Sequence, residues 1–97
     1  MTDQIINPIV QHNPDASRFE LFLDGSLAVL DYSLQEDIIT FIHTGVPTAL
    51  EGRGIGSQLV FAGLEYARDN SFQVVPVCWF VAGYIKRHPE YHDLVKN

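Results

Sequence analysis

The chain has 97 residues, 46% hydrophobic and 19% charged, and six Lys and Arg stand against twelve Asp and Glu for a formal net charge of −6. That length suits one small domain, that composition argues against disorder, and that charge argues against a nucleic-acid footprint. One cysteine, Cys78, excludes an internal disulfide framework and cysteine-rich metal sites, and no apolar run approaches a membrane span.

Residues 1–17 are polar, carry Pro8 and Pro14, and lack the basic start and apolar stretch of a secretory leader. They read as a flexible lead-in to a single domain over 18–97, and a lone thiol with no leader makes the cytoplasm the expected compartment. Residues 19–23 read as a strand, and Asp24-Gly25 after them is a strong hairpin signal. Residues 27–33 make the partner strand, 34–37 a polar turn, and 38–44 a third strand. Together these predict an antiparallel meander.

The period then changes. Residues 45–56 hold four glycines and Pro47, which predicts a loop. From 56 to about 69 the pattern is helical, with Leu59, Val60, Gly63, Leu64 and Ala67 on one face and Gly63 allowing close packing. Asn70 suits a left-handed helix end. Residues 72–78 predict a fourth strand, 81–88 a short helix stopped by Pro89, and 91–95 a final turn. A strand, a helix and a strand imply a crossover and a parallel pair, so the fold class is α+β: a meander plus one parallel strand, with helices packed on the sheet.

Glycines 52, 54 and 56 sit between a strand and a helix. Glycine admits positive φ and close approach to the backbone, and the first amides of a helix are unpaired at the positive end of its dipole. This loop is therefore a candidate phosphate cradle. It is not a P-loop, because Gly56-Ser57 has no lysine between them. It is not a dinucleotide fingerprint either, because it follows a meander and is spaced Gly-x-Gly-x-Gly.

The segment from Val46 through Ser57 resembles the strand-to-loop passage of the GNAT acetyltransferases, whose pattern is Gln/Arg-x-x-Gly-x-Gly/Ala. Gly54 and Gly56 match, and Glu51 departs from the Gln/Arg position. His43-Thr44, Val75-Pro76, Cys78 and 87–91 extend the likeness to the short single-domain branch that includes YjdJ-like and N-acetyltransferase domain-containing proteins. The resemblance covers roughly residues 18–96. It implies a minimal GNAT-like fold, with acetyl-coenzyme A as cosubstrate in a cleft between two splayed strands, a role that suits Pro47 and Pro76. It implies cofactor contacts at Val46, Gly52, Arg53, Gly54, Ile55, Gly56 and Ser57. Phe80 would lie along the pantetheine arm or in the core, as would Trp79, and Lys86 and Arg87 would reach phosphates or remain a solvated face.

By that geometry Cys78 would lie near the thioester, as nucleophile, as acid toward the leaving thiol, or as a buried core residue. Position 86, where larger relatives carry an acid tyrosine, is lysine here, and Tyr84 is a weaker candidate. His43 would take a proton from a cationic amine or activate Cys78, or would simply be a surface histidine. His43, His88, His92 and Cys78 lack paired ligand spacing, so no metal is expected. Residues 1–51 carry a charge of −7 and residues 52–97 carry +1, which suggests a cationic acceptor and a C-terminal half more tolerant of a polyanion. Two functions follow: an N-acetyltransferase acting on an unidentified amine, or a non-catalytic acyl-coenzyme A sensor. The acceptor and the oligomeric state are open.

Overall fold

Alternation along the β-rich runs puts one row of apolar side chains on a single face of the sheet. In the computed structural model, which describes residues 9–97, five strands pair in the order β1-β2-β3-β4-β5. They are β1 (Gln11–Asn13), β2 (Arg18–Leu23), β3 (Ser26–Gln35), β4 (Ile38–Gly45) and β5 (Gln73–Pro76). The first four are antiparallel in sequence, and β4 and β5 are parallel. Helix α1 (Ile55–Asp69) makes the crossover, and α2 (Trp79–Arg87) follows β5. The mixed sheet and its helices are the α+β arrangement that the pattern implied.

Asp24 and Gly25 both take positive φ, 52° and 77°, and join Leu23 directly to Ser26, as a two-residue hairpin requires. Phe19 and Leu21 of β2, Ala28, Leu30 and Tyr32 of β3, Ile39 and Phe41 of β4, and Val74 of β5 are buried with α1. The buried face of α1 includes Leu59, Val60, Gly63, Leu64 and Ala67. Gly63 is where the helix meets the sheet: a Cβ there would lie 2.9 Å from Phe41 and 3.0 Å from Leu30. On the alternate positions of β2 and β3 (Arg18, Glu20, Phe22, Leu27, Val29, Asp31 and Ser33) nothing is buried.

The ordered chain starts before residue 18. Gln11–Asn13 extend the sheet as β1, and Pro14–Ala16 form a 3-10 turn. His12 anchors the strand: its ring stacks on Phe19 at 4.3 Å and shares a 2.6 Å hydrogen bond with the Tyr32 hydroxyl. The rest of the expected lead-in, residues 1–8, lies outside the described residues. At the end of α1 the left-handed residue is Ser71 (φ 58°), not Asn70 (φ −104°). The amides of Ser71 and Phe72 close onto the carbonyls of Arg68 and Ala67, the paired bonds of a Schellman end.

Other boundaries move too: β3 runs through Leu34 and Gln35, into the turn expected at 34–37. Strand β5 stops at Pro76 rather than continuing to 78, because Val77 N–H turns back to Val75 O (3.2 Å) and Cys78 N–H donates to Phe41 O (2.9 Å). Helix α2 consequently starts at Trp79. The final turn is the 3-10 segment Pro89–Leu94, after which Lys96 N–H donates to Val74 O.

Candidate functional site

The site forms where β4 and β5 part. Their pairing runs only from Ile38↔Gln73 to Phe41↔Pro76. Beyond it, β4 carries a bulge: Asp31 faces His43 while Tyr32 faces Phe41, so Ile42 is the extra residue. The proline at the end of β5 and the bulge in β4 open a cleft of about 600 Å³ between the strand ends, the glycine loop and the start of α2. That volume lies within the usual range for small-molecule sites.

The loop end is built for an anion. Gly52 and Gly54 take φ of 84° and 72°, which side chains other than glycine rarely tolerate. Gly54 is the N-cap of α1, no side chain caps the helix, and its first turn holds no acidic residue. The first intrahelical bond is Gln58 N–H to Gly54 O at 3.1 Å, so the amides of Ile55, Gly56 and Ser57 have no partner within the helix. Gly56 serves a different purpose: its φ is not positive, and a Cβ there would lie 2.9 Å from the Phe80 ring. Val46, Leu50, Glu51, Gly52, Gly54, Ile55, Gly56 and Ser57 line this end.

At the strand end stand Ile42, His43, Thr44, Val77, Cys78, Trp79 and Phe80. Cys78 is buried, with its sulfur 3.4 Å from the Thr44 hydroxyl. Burial acts to raise the thiol's pKa, but hydrogen bonding from Thr44 and the facing amides of Val81, Phe80 and Thr44 outweigh it and hold the pKa below its ordinary value.

The expected site residues divide accordingly. Val46, Gly52, Gly54, Ile55, Gly56, Ser57, Phe80, Cys78 and His43 all line the cleft, whereas Arg53, Lys86 and Arg87 do not. Arg53 is turned to the hairpin tip, where it bonds Asp24 at 3.0 Å. Lys86 and Arg87 are exposed on the last turn of α2. His43 faces Asp31, with Nδ1 3.5 Å from the carboxylate, and the hydrogen-bond partner of the Cys78 sulfur is Thr44 rather than His43. Tyr84 is buried, stacks on His88 at 3.9 Å, and is not part of the cleft wall. Trp79 is not a core residue: it is 82% exposed at the cleft mouth. Thr44 as thiol partner and Asp31 as partner of His43 carry no local sequence signal, since each pairing is made across the sheet.

A bulged strand, a parallel neighbour that parts from it and a bare helix N-terminus over a glycine loop together make up this site. The family model for GCN5-related N-acetyltransferases matches residues 18–94, and the chain belongs to that family. It is 32% identical to the mouse protein NATD1 over 83 residues, which cover 82% of this chain and 76% of that one. The human NATD1 protein is also 32% identical over 83 residues, covering 82% and 74%. Among solved structures, a GCN5-like protein from Staphylococcus aureus determined in solution superposes with a TM-score of 0.74 at 26% identity, covering 96% of this chain and 92% of the other.

Proposed function

We propose that the protein is an N-acetyltransferase that takes its acetyl group from acetyl-coenzyme A and passes it to a cationic amine. The observation that carries this reading is one cleft with uncapped helix amides at one end and, at the other, the Cys78 thiol in hydrogen-bond contact with Thr44. The amides of Ile55, Gly56 and Ser57 would hold the pyrophosphate, and the pantetheine arm would run between β4 and β5 past Phe80. The thioester would then meet Cys78.

Two roles fit a thiol held below its usual pKa. As a thiolate it attacks the acetyl carbonyl, the bond to the coenzyme sulfur breaks, and the coenzyme thiolate takes up a proton. The amine then attacks acetyl-Cys78, releases the Cys78 thiolate and loses its proton. Alternatively the Cys78 thiol donates its proton to the leaving thiolate during direct transfer. In either role Thr44 steadies the charged sulfur. His43, at the cleft wall, would take the proton that the amine gives up.

Calorimetry should show micromolar coenzyme A binding. Gly54→Asp puts a carboxylate among the phosphate-binding amides and should weaken that binding by roughly 100-fold, about 2.7 kcal/mol. Unchanged affinity in that variant would sink the loop assignment. For the thiol, mass spectrometry after incubation with labelled acetyl-coenzyme A should find acetyl-Cys78 on the covalent route. Cys78→Ala with full turnover rules out both roles. A sensor that never turns over would bind the coenzyme, acquire no label and acetylate no amine.

A further inference from the structure

We propose that the acceptor is a lysine side chain in a flexible protein segment with an apolar residue beside it, docked on a platform made by Ile42, Val77 and Trp79. This deepens the acetyltransferase reading and rests on it. Large apolar side chains exposed singly need no explanation, but a group of them around a cleft does. Ile42 is 47% exposed, Val77 64% and Trp79 82%, and all three line the strand end of the cleft. The bulge turns Ile42 outward, and the break after Pro76 does the same for Val77 and Trp79. The structural devices that open the cleft therefore also build its apolar rim.

The charges around the rim fit a cation. Among the described residues no lysine or arginine lines the cleft, and at its strand end the Asp31 carboxylate stands behind His43 at 3.5 Å. A lysine combines an apolar stem with a terminal ammonium, so its stem can lie on Ile42 and Val77 while its amine reaches toward Cys78. Trp79, 82% exposed, presents more apolar surface than a small amine can cover. A neighbouring apolar side chain in a peptide would cover it, and exposed tryptophans that become buried on association commonly dominate such contacts.

The experiment uses two lysine peptides of equal charge, one flanked by Leu and Phe and one by Gly, with n-butylamine as the small-amine control. Trp79 is the only tryptophan, so intrinsic emission reports directly on the platform. With coenzyme A bound, the apolar peptide should shift Trp79 emission to the blue. With acetyl-coenzyme A, its kcat/KM should exceed that of both other amines by roughly tenfold, mainly through KM. Trp79→Ala should erase the preference, with circular dichroism as the fold control. Equal rates for all three amines, no emission change, or a preference that survives Trp79→Ala would each overturn the proposal. An emission shift without turnover of any amine would uphold the platform and overturn the transferase reading instead.

Discussion

At the scale of single residues, Arg53 is the side chain whose role the geometry redefines. It sits inside the phosphate loop yet spends its charge on Asp24, and both side chains are about half exposed or more, at 49% and 62%. Exposed pairs of this kind hold weakly, so an incoming phosphate can compete for the guanidinium. Asp24 would then lower coenzyme affinity by occupying Arg53. Asp24→Asn tests this cleanly, because asparagine accepts the left-handed backbone at position 24 as readily as aspartate does. Calorimetry should show two- to fivefold tighter coenzyme A binding in Asp24→Asn, roughly 0.4–1 kcal/mol, and weaker binding in Arg53→Ala. If Asp24→Asn weakens binding instead, the pair serves to hold the loop in shape and Arg53 does not reach the ligand.

At the scale of elements, the seat of α1 on the sheet depends on Gly63. Replacing a glycine within a helix by alanine ordinarily stabilises by about 0.5–1 kcal/mol. Here the new methyl would meet Phe41 and Leu30 at 3.0 Å or less, and overpacking typically costs about 1–3 kcal/mol. Gly63→Ala should therefore destabilise the protein by about 1–2 kcal/mol in denaturant unfolding, and a stabilised variant would mean that the helix seat is loose. That seat was legible in the sequence, because a period of 3.6 residues and a small residue on the apolar face are local signals. The hairpin at Asp24-Gly25 was legible for the same reason. Strand β1 was not: three residues show no period, and His12 holds them through Phe19 and Tyr32, contacts made only once the sheet exists. The apolar run through Cys78 concealed the end of β5, since only Pro76 interrupts it. In the site, the glycine backbone could be anticipated because its φ values demand glycine. The Thr44–Cys78 contact spans 34 positions, and the exposure of Trp79 runs against the ordinary expectation for an apolar residue.

At the scale of the whole molecule, the cleft lies on the seam between two units of the fold. One wall is the loop and the first turn of α1, and the other is the broken end of β5 with the start of α2. The two walls touch where Gly56 meets the Phe80 ring. With one face of β2 and β3 uncovered, so small a chain has limited core, and a ligand that spans both walls should add a large share of its stability. At a concentration 100 times Kd, binding to the folded state alone contributes about 2.7 kcal/mol. For a domain of this size that corresponds to a Tm increase of roughly 10–20 °C with acetyl-coenzyme A. The size of the shift reports affinity, whereas its distribution reports where the ligand lies. Hydrogen exchange should slow at the amides of Ile55, Gly56 and Ser57 and also at those of Cys78 and Phe80. An adenine nucleotide without the pantetheine arm should protect the first group only. If acetyl-coenzyme A also protects the first group only, the arm does not enter the space between β4 and β5, and neither Cys78 nor the Trp79 platform can be near the acetyl group.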